Sequence, residues 1–202
     1  MRLKRVLRDC VILALAFAGL LLVFNVFRLW DQSNQTEHPD RQSRTRQLAD
    51  LAFRRENWNQ AHEHYVELTK QDPYNGYAWY MAGICLWNQS YLLQDALAGE
   101  LKSEVADQAK VDSLRAQLFD IGQRALDSLE YSLNWSRYRN PSRVAMAAIN
   151  TTLDRHDQAI DILSSAIQDG YFRRAGLQAP EFDPLRNDPR FQEILHQESP
   201  PR

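Results

Sequence analysis

Apolar residues follow two different rhythms along this chain. Between Cys10 and Phe27, CVILALAFAGLLLVFNVF, they run without interruption by a charged residue, with Arg8 and Arg28 at the two ends and Trp30 just beyond. From residue 44 onward they recur at steps of three and four. In KVDSLRAQLFDIGQRALDSLEYSLNW, Val111, Leu114, Leu118, Ile121, Ala125, Leu129 and Leu133 keep that step, the mark of an amphipathic helix over residues 107–135. Between the two regimes, Asp31 to Ser43 (DQSNQTEHPDRQS) is polar and aperiodic and reads as a tether. The expected fold is all-α: one apolar spanning helix, a tether over 31–43, and a helical domain over 44–202.

At ~1.5 Å per residue the uncharged run is roughly 27 Å long, close to the hydrocarbon thickness of a bilayer. Its flanking arginines can reach the interface and Trp30 suits the interfacial aromatic belt. A cleaved signal peptide is the competing reading, with small residues at Ala16–Gly19, but Leu20, Leu21, Leu22, Val23 and Phe24 continue past that point and a signal's apolar region normally stops at the cut. No small residues precede Cys10 as they would in a lipoprotein. A transmembrane helix over 10–30 is therefore expected. Arg2, Lys4, Arg5 and Arg8 place residues 1–9 in the cytoplasm and the domain on the far side.

Small residues recur in a fixed register within the domain. In a window starting at Gln42, Leu48 and Ala49 stand at positions 7 and 8, Ala61 at 20, Tyr65 at 24, Leu68 at 27 and Pro73 at 32. A window starting at Gly76 has Trp79 at 4, Ala82 and Gly83 at 7 and 8, and Leu86 at 11; Ala96 then falls one place late, which predicts a longer turn before it. A window at Asn140 has Met146 and Ala147 at 7 and 8, Ala159 at 20, Leu163 at 24 and Ala166 at 27. This spacing resembles the tetratricopeptide repeat (TPR), a 34-residue helix–turn–helix unit in which small side chains let two helices approach and large ones fill the space between units. The resemblance implies an α-solenoid with repeats near 42–75, 76–109 and 140–173, a degenerate repeat over 107–139 carrying Ala125 and Leu129, and a cap over 174–202. Gly99 to Lys110 reads as a polar joint or insertion. The segment DPLRNDPRF, Asp183 to Phe191, resembles a tail that ends many bacterial TPR arrays. Asp188 followed by Pro189 reads as a helix start, and Leu185 and Phe191 are expected to cover the last repeat.

The same resemblance implies a concave groove lined by positions 2, 5, 9 and 12 of each first helix. These are Ser43, Arg46, Asp50 and Phe53, then Tyr77, Tyr80, Ile84 and Trp87. The segment GYAWYMAGICLW, Gly76 to Trp87, leaves almost no polar side, and a helix apolar all round is expected to be buried all round. Three covers fit the Tyr77–Trp87 stripe: the 107–135 helix or tail of this chain, a partner peptide or helix, or a membrane surface.

Charge and chemistry narrow the function. Of the chain's net −2, residues 1–30 carry +4 and the remainder −6, which does not suit nucleic acid. His62 and His64 in AHEHY project about 200° apart on a helix, whereas zinc ligands on one helix prefer i, i+4. They are expected to be solvated surface histidines, and no metal site, cofactor or catalytic residue is predicted. No Gly-rich phosphate loop, serine elbow or kinase motif occurs. Cys10 and Cys85 imply no disulfide framework. The N-x-S/T matches at Asn34, Asn88, Asn134 and Asn150 are taken as chance. The expected function is a non-catalytic membrane-anchored adaptor, with the bilayer and a protein segment as partners. Its architecture is similar to bacterial inner-membrane TPR proteins that assist assembly of envelope or respiratory complexes. The alternative is a structural accessory subunit permanently built into a larger membrane complex.

Overall fold

The computed structural model describes residues 42–103, 105–170 and 174–196. Residue contacts divide the chain into Met1–Arg44 and Thr45–Arg202, and the architecture below is that of the second unit. The expected spanning helix and nearly all of the tether lie outside the described residues. Among those described, every regular element is helical and no helix is long and apolar enough to cross a membrane.

Helix α1 covers residues 42–54, α2 Trp58–Gln71, α3 Gly76–Leu101, α4 Gln108–Ser132, α5 Ser136–Thr152 and α6 His156–Gln168. A single turn, α7 (Arg174–Leu177), a 3₁₀ segment (Pro180–Leu185) and α8 (Pro189–His196) complete the order. The starts are set by side-chain caps. Asn57 accepts from the Gln60 amide, Asn75 from that of Ala78, and Asp107 from those of Ala109 and Lys110, each satisfying amides that have no partner inside the helix.

Two helix ends share one device. After α1, Glu56 N–H donates to Phe53 O at 3.0 Å and Asn57 N–H to Ala52 O at 3.0 Å; after α5, Asp154 N–H donates to Thr151 O at 3.1 Å and Arg155 N–H to Asn150 O at 2.8 Å. This is the Schellman pattern, and it puts Glu56 and Asp154 at φ 58°, a conformation that suits glycine. Glu56→Gly is therefore expected to stabilise the protein by roughly 1 kcal/mol, read as a higher urea midpoint at unchanged slope.

The small residues of the expected register are buried. Ala49, Ala61, Ala147 and Ala159 are 0% exposed and Gly83 is buried. At Gly83 a Cβ would lie 2.7 Å from Leu129 Cγ and 3.0 Å from Ala125 O; at Gly76 it would lie 2.5 Å from Trp135 Cδ2. The α3 and α4 backbones thus approach more closely than any side chain at Gly83 would allow. Their register is antiparallel: Gly83 faces Ala125 and Leu129, while at the other end Glu100 pairs with Lys110 at 2.6 Å and accepts from Asp107 N at 3.0 Å.

The structure corrects the expected turn before Ala96. Helix α3 is unbroken from Gly76 to Leu101, Ala96 is exposed, and the helix that packs along α3 is α4. Residues 76–109 and 107–139 are thus one extended hairpin in place of two repeats. The physical reason is local: Asn88 to Gln94 contains no Gly or Pro to stop a helix, and the Ser90 hydroxyl donates back to Trp87 O at 2.6 Å within the helix. The polar joint expected between Gly99 and Lys110 does hold the break between α3 and α4, where residues 102–103 and 105–107 are non-helical.

Three core clusters follow. Ala49, Ala61, Tyr65, Leu68, Ala82 and Cys85 join α1, α2 and α3. Leu86, Trp87, Ala125, Leu126, Leu129 and Ile149 join α3, α4 and α5. Ala147, Ala159, Leu163, Phe182, Leu185 and Phe191 join α5 and α6 to the C-terminal segment. Asp188 caps α8 through the Arg190 amide at 2.8 Å, and Leu185 and Phe191 are 1% and 0% exposed, so the tail covers the last hairpin as expected.

Candidate partner-binding face

The residues predicted to line a groove fall into three groups. Arg46, Asp50 and Tyr77 meet in one polar knot. Asp50 on α1 accepts from Tyr65 OH on α2 at 2.7 Å and from Tyr77 OH on α3 at 2.9 Å, both at Oδ1. Its Oδ2 lies 3.9 Å from Arg46 Nε, and the Arg46 guanidinium sits 4.5 Å above the Tyr77 ring. Three helices are thereby pinned through one carboxylate, with the Tyr65 and Tyr77 rings edge to face at 5.9 Å. Burial is the first cause that raises both phenols above their ordinary range; the neighbouring Tyr77 hydroxyl and the Asp50 carboxylate raise Tyr65 further. Both hydroxyls therefore stay protonated and act as donors, which holds the acceptor in place.

Tyr80 and Phe53 form the second group. Tyr80 is half-buried and stacks on Tyr138 of α5 at 5.8 Å, and Tyr138 also tilts against Tyr77 at 6.0 Å. Arg137 lies 5.9 Å from the Tyr138 ring centre. Phe53 meets Trp58 edge to face at 5.0 Å and leans on the first core cluster. Each ring is fixed by a neighbour and still has part of its surface in water.

Trp87 belongs to the interior, and Ile84 is half-buried against the α3–α4–α5 cluster. Trp87, 4% exposed, is a member of that cluster beside Leu126, Leu129 and Ile149. This chain's own α4 and α5 cover that half of the stripe. The polar knot and Tyr138 were not foreseen from sequence, because no local spacing connects residues 50, 65, 77 and 138.

His62 differs from the solvated histidine expected. It is half-buried, and its Nδ1–H donates to Ala82 O on α3 at 3.2 Å. Desolvation, the largest cause, lowers its pKa from 6.5; the Ala82 carbonyl and Glu63 oppose that and Arg124 adds to it. The unfolded chain then binds more protons than the folded one as the pH falls below about 6.5, so this contribution to stability is complete above that value and is lost as pH drops through the folded pKa. His62→Gln is expected to flatten the difference between urea midpoints at about pH 7.5 and about pH 5.5. Cys85 is 0% exposed and burial pushes its thiol up to about 12, so it packs as a small apolar side chain. Among the described residues, no group of three or more His, Cys, Asp or Glu is placed to hold a metal ion.

No protein-family profile matches the chain, and neither a curated protein nor a solved structure matches it.

Proposed function

We propose that this protein is a non-catalytic, membrane-anchored helical-repeat adaptor of TPR type that holds a segment of a partner protein on the α1–α3 face. The observation that carries this reading is the rigidity of that face. Tyr77 is tied to α1 through Asp50, Tyr80 is stacked on Tyr138 and Phe53 is held by Trp58, yet all three rings are only partly buried. Rings locked before binding lose little entropy on capture, and aromatic and arginine side chains dominate binding hot spots. The Cys10–Phe27 run supplies the anchor, with the N-terminus cytoplasmic and the domain extracytoplasmic. Confinement to one membrane raises the effective concentration of the face toward membrane-bound partners. Assembly of an envelope or respiratory membrane complex is the setting this architecture suits.

The test is Phe53→Ala combined with Tyr80→Ala in the full chain. Loss of partner co-purification from crosslinked membranes, with helical circular dichroism retained, supports the adaptor; retained co-purification rejects the face.

A second reading, a permanently integrated accessory subunit, is favoured by one feature. At the far end of the α3–α4 hairpin Leu92, Leu101 and Val105 are 79%, 53% and 88% exposed, apolar surface that a constant neighbour would remove from water. Rapid degradation of the chain when its complex is absent favours the subunit; normal abundance favours the adaptor.

A further inference from the structure

The geometry points to a second docking site, away from the α1–α3 face, that takes a lysine or arginine side chain of a partner protein. It is a cleft of about 350 Å³ formed by α4, α5 and α6. Its apolar part is Leu126, Met146 and Ile162, and its acidic part is Asp127, Glu130 and Asp161. A long basic side chain has this same division, an aliphatic stem that favours apolar surface and a charged head that favours carboxylates.

Two observations make this more than a cluster of surface acids. Asn150 also lines the cleft and is 3% exposed. Its Nδ2 donates to Met146 O at 2.8 Å, which leaves Oδ1 as a buried acceptor with no donor. A buried acceptor without a donor is costly, and a cationic N–H donor on a partner removes that cost. The second observation is charge. The single cation that lines the cleft, Arg155, is already committed at its edge: its guanidinium nitrogens reach Oε1 of Gln123, another lining residue, at 3.4 and 3.5 Å, and its Cζ lies 4.8 Å over the Phe119 ring. Asp127 accepts from Gln123 at 3.0 Å, and among the described residues no cation is paired with Glu130 or Asp161. Three carboxylates against one committed arginine leave the cleft electronegative, complementary to a guanidinium or ammonium.

The experiment is NMR titration of the full chain in detergent micelles with blocked tripeptides, acetyl-Ala-Arg-Ala-amide, acetyl-Ala-Lys-Ala-amide and acetyl-Ala-Glu-Ala-amide. The methyls of Leu126, Met146 and Ile162 and the Asn150 side-chain amide are followed. The basic peptides are expected to give saturable shifts at these groups, weakened by salt. The Glu130→Gln, Asp161→Asn double variant is expected to bind them roughly tenfold more weakly. Both carboxylates are exposed, so the variant is expected to melt like the parent, and its melting curve checks that it is folded. Absence of shifts, equal shifts from the glutamate peptide, or shifts unchanged in the folded double variant each overturn the site.

Discussion

Trp87→Ala is expected to lower the free energy of unfolding by about 3–5 kcal/mol, read from urea denaturation of the full chain in detergent. Trp87 is 4% exposed and shares its cluster with Leu86, Ala125, Leu126, Leu129 and Ile149, so its removal leaves a void where three helices meet. Collapse around that void is limited on the α3–α4 side, where Gly83 already lies against the Leu129 side chain and the Ala125 carbonyl. Tyr80→Ala supplies the contrast. Tyr80 is half-buried and its removal is expected to cost less stability and more binding. Were Trp87 a groove anchor, its truncation would leave the denaturation midpoint almost unmoved.

Phe191→Ala is expected to have an effect of similar size, about 3–5 kcal/mol, with a different signature. Phe191 is 0% exposed and stacks on Phe182 at 6.0 Å, and the two rings with Leu185 cover Leu163 and Ile160 of α6. Terminal repeats need such a cover to keep apolar surface from water. Loss of the ring is expected to release the segment from Pro180 to His196 first, so limited proteolysis of the variant cuts there before it cuts in α3 or α4.

The hairpins were legible in the sequence because their determinant is local. Ala49, Ala61, Gly83, Ala147 and Ala159 are small at fixed spacings, and close helix packing demands small residues at those places. The start of α8 was equally local, with Asp188 and Pro189 side by side. The extent of α3 was not legible from repeat spacing. Ala96 fell near the place where a second helix was expected to pack, but nothing between Asn88 and Gln94 breaks the first one. Sequence also could not divide the Tyr77–Trp87 stripe into its outer and inner halves. That division depends on Leu126 of α4, Ile149 of α5 and Tyr138, residues 39 to 62 positions further along than Trp87 and brought back only by the fold. The Asp50 knot was invisible for the same reason: a carboxylate, two phenols and a guanidinium on three helices have no shared period.

Site-specific photo-crosslinking in intact membranes tests the account most directly. The full chain carries a photoreactive phenylalanine at Tyr80, at Phe53, or at the exposed Glu63 on α2. Adducts to a partner protein at Tyr80 and Phe53, and none at Glu63, are the predicted result. Adducts at Glu63 with none at Tyr80 or Phe53 would contradict it, because a partner would then dock on the second-helix side and leave the α1–α3 face empty.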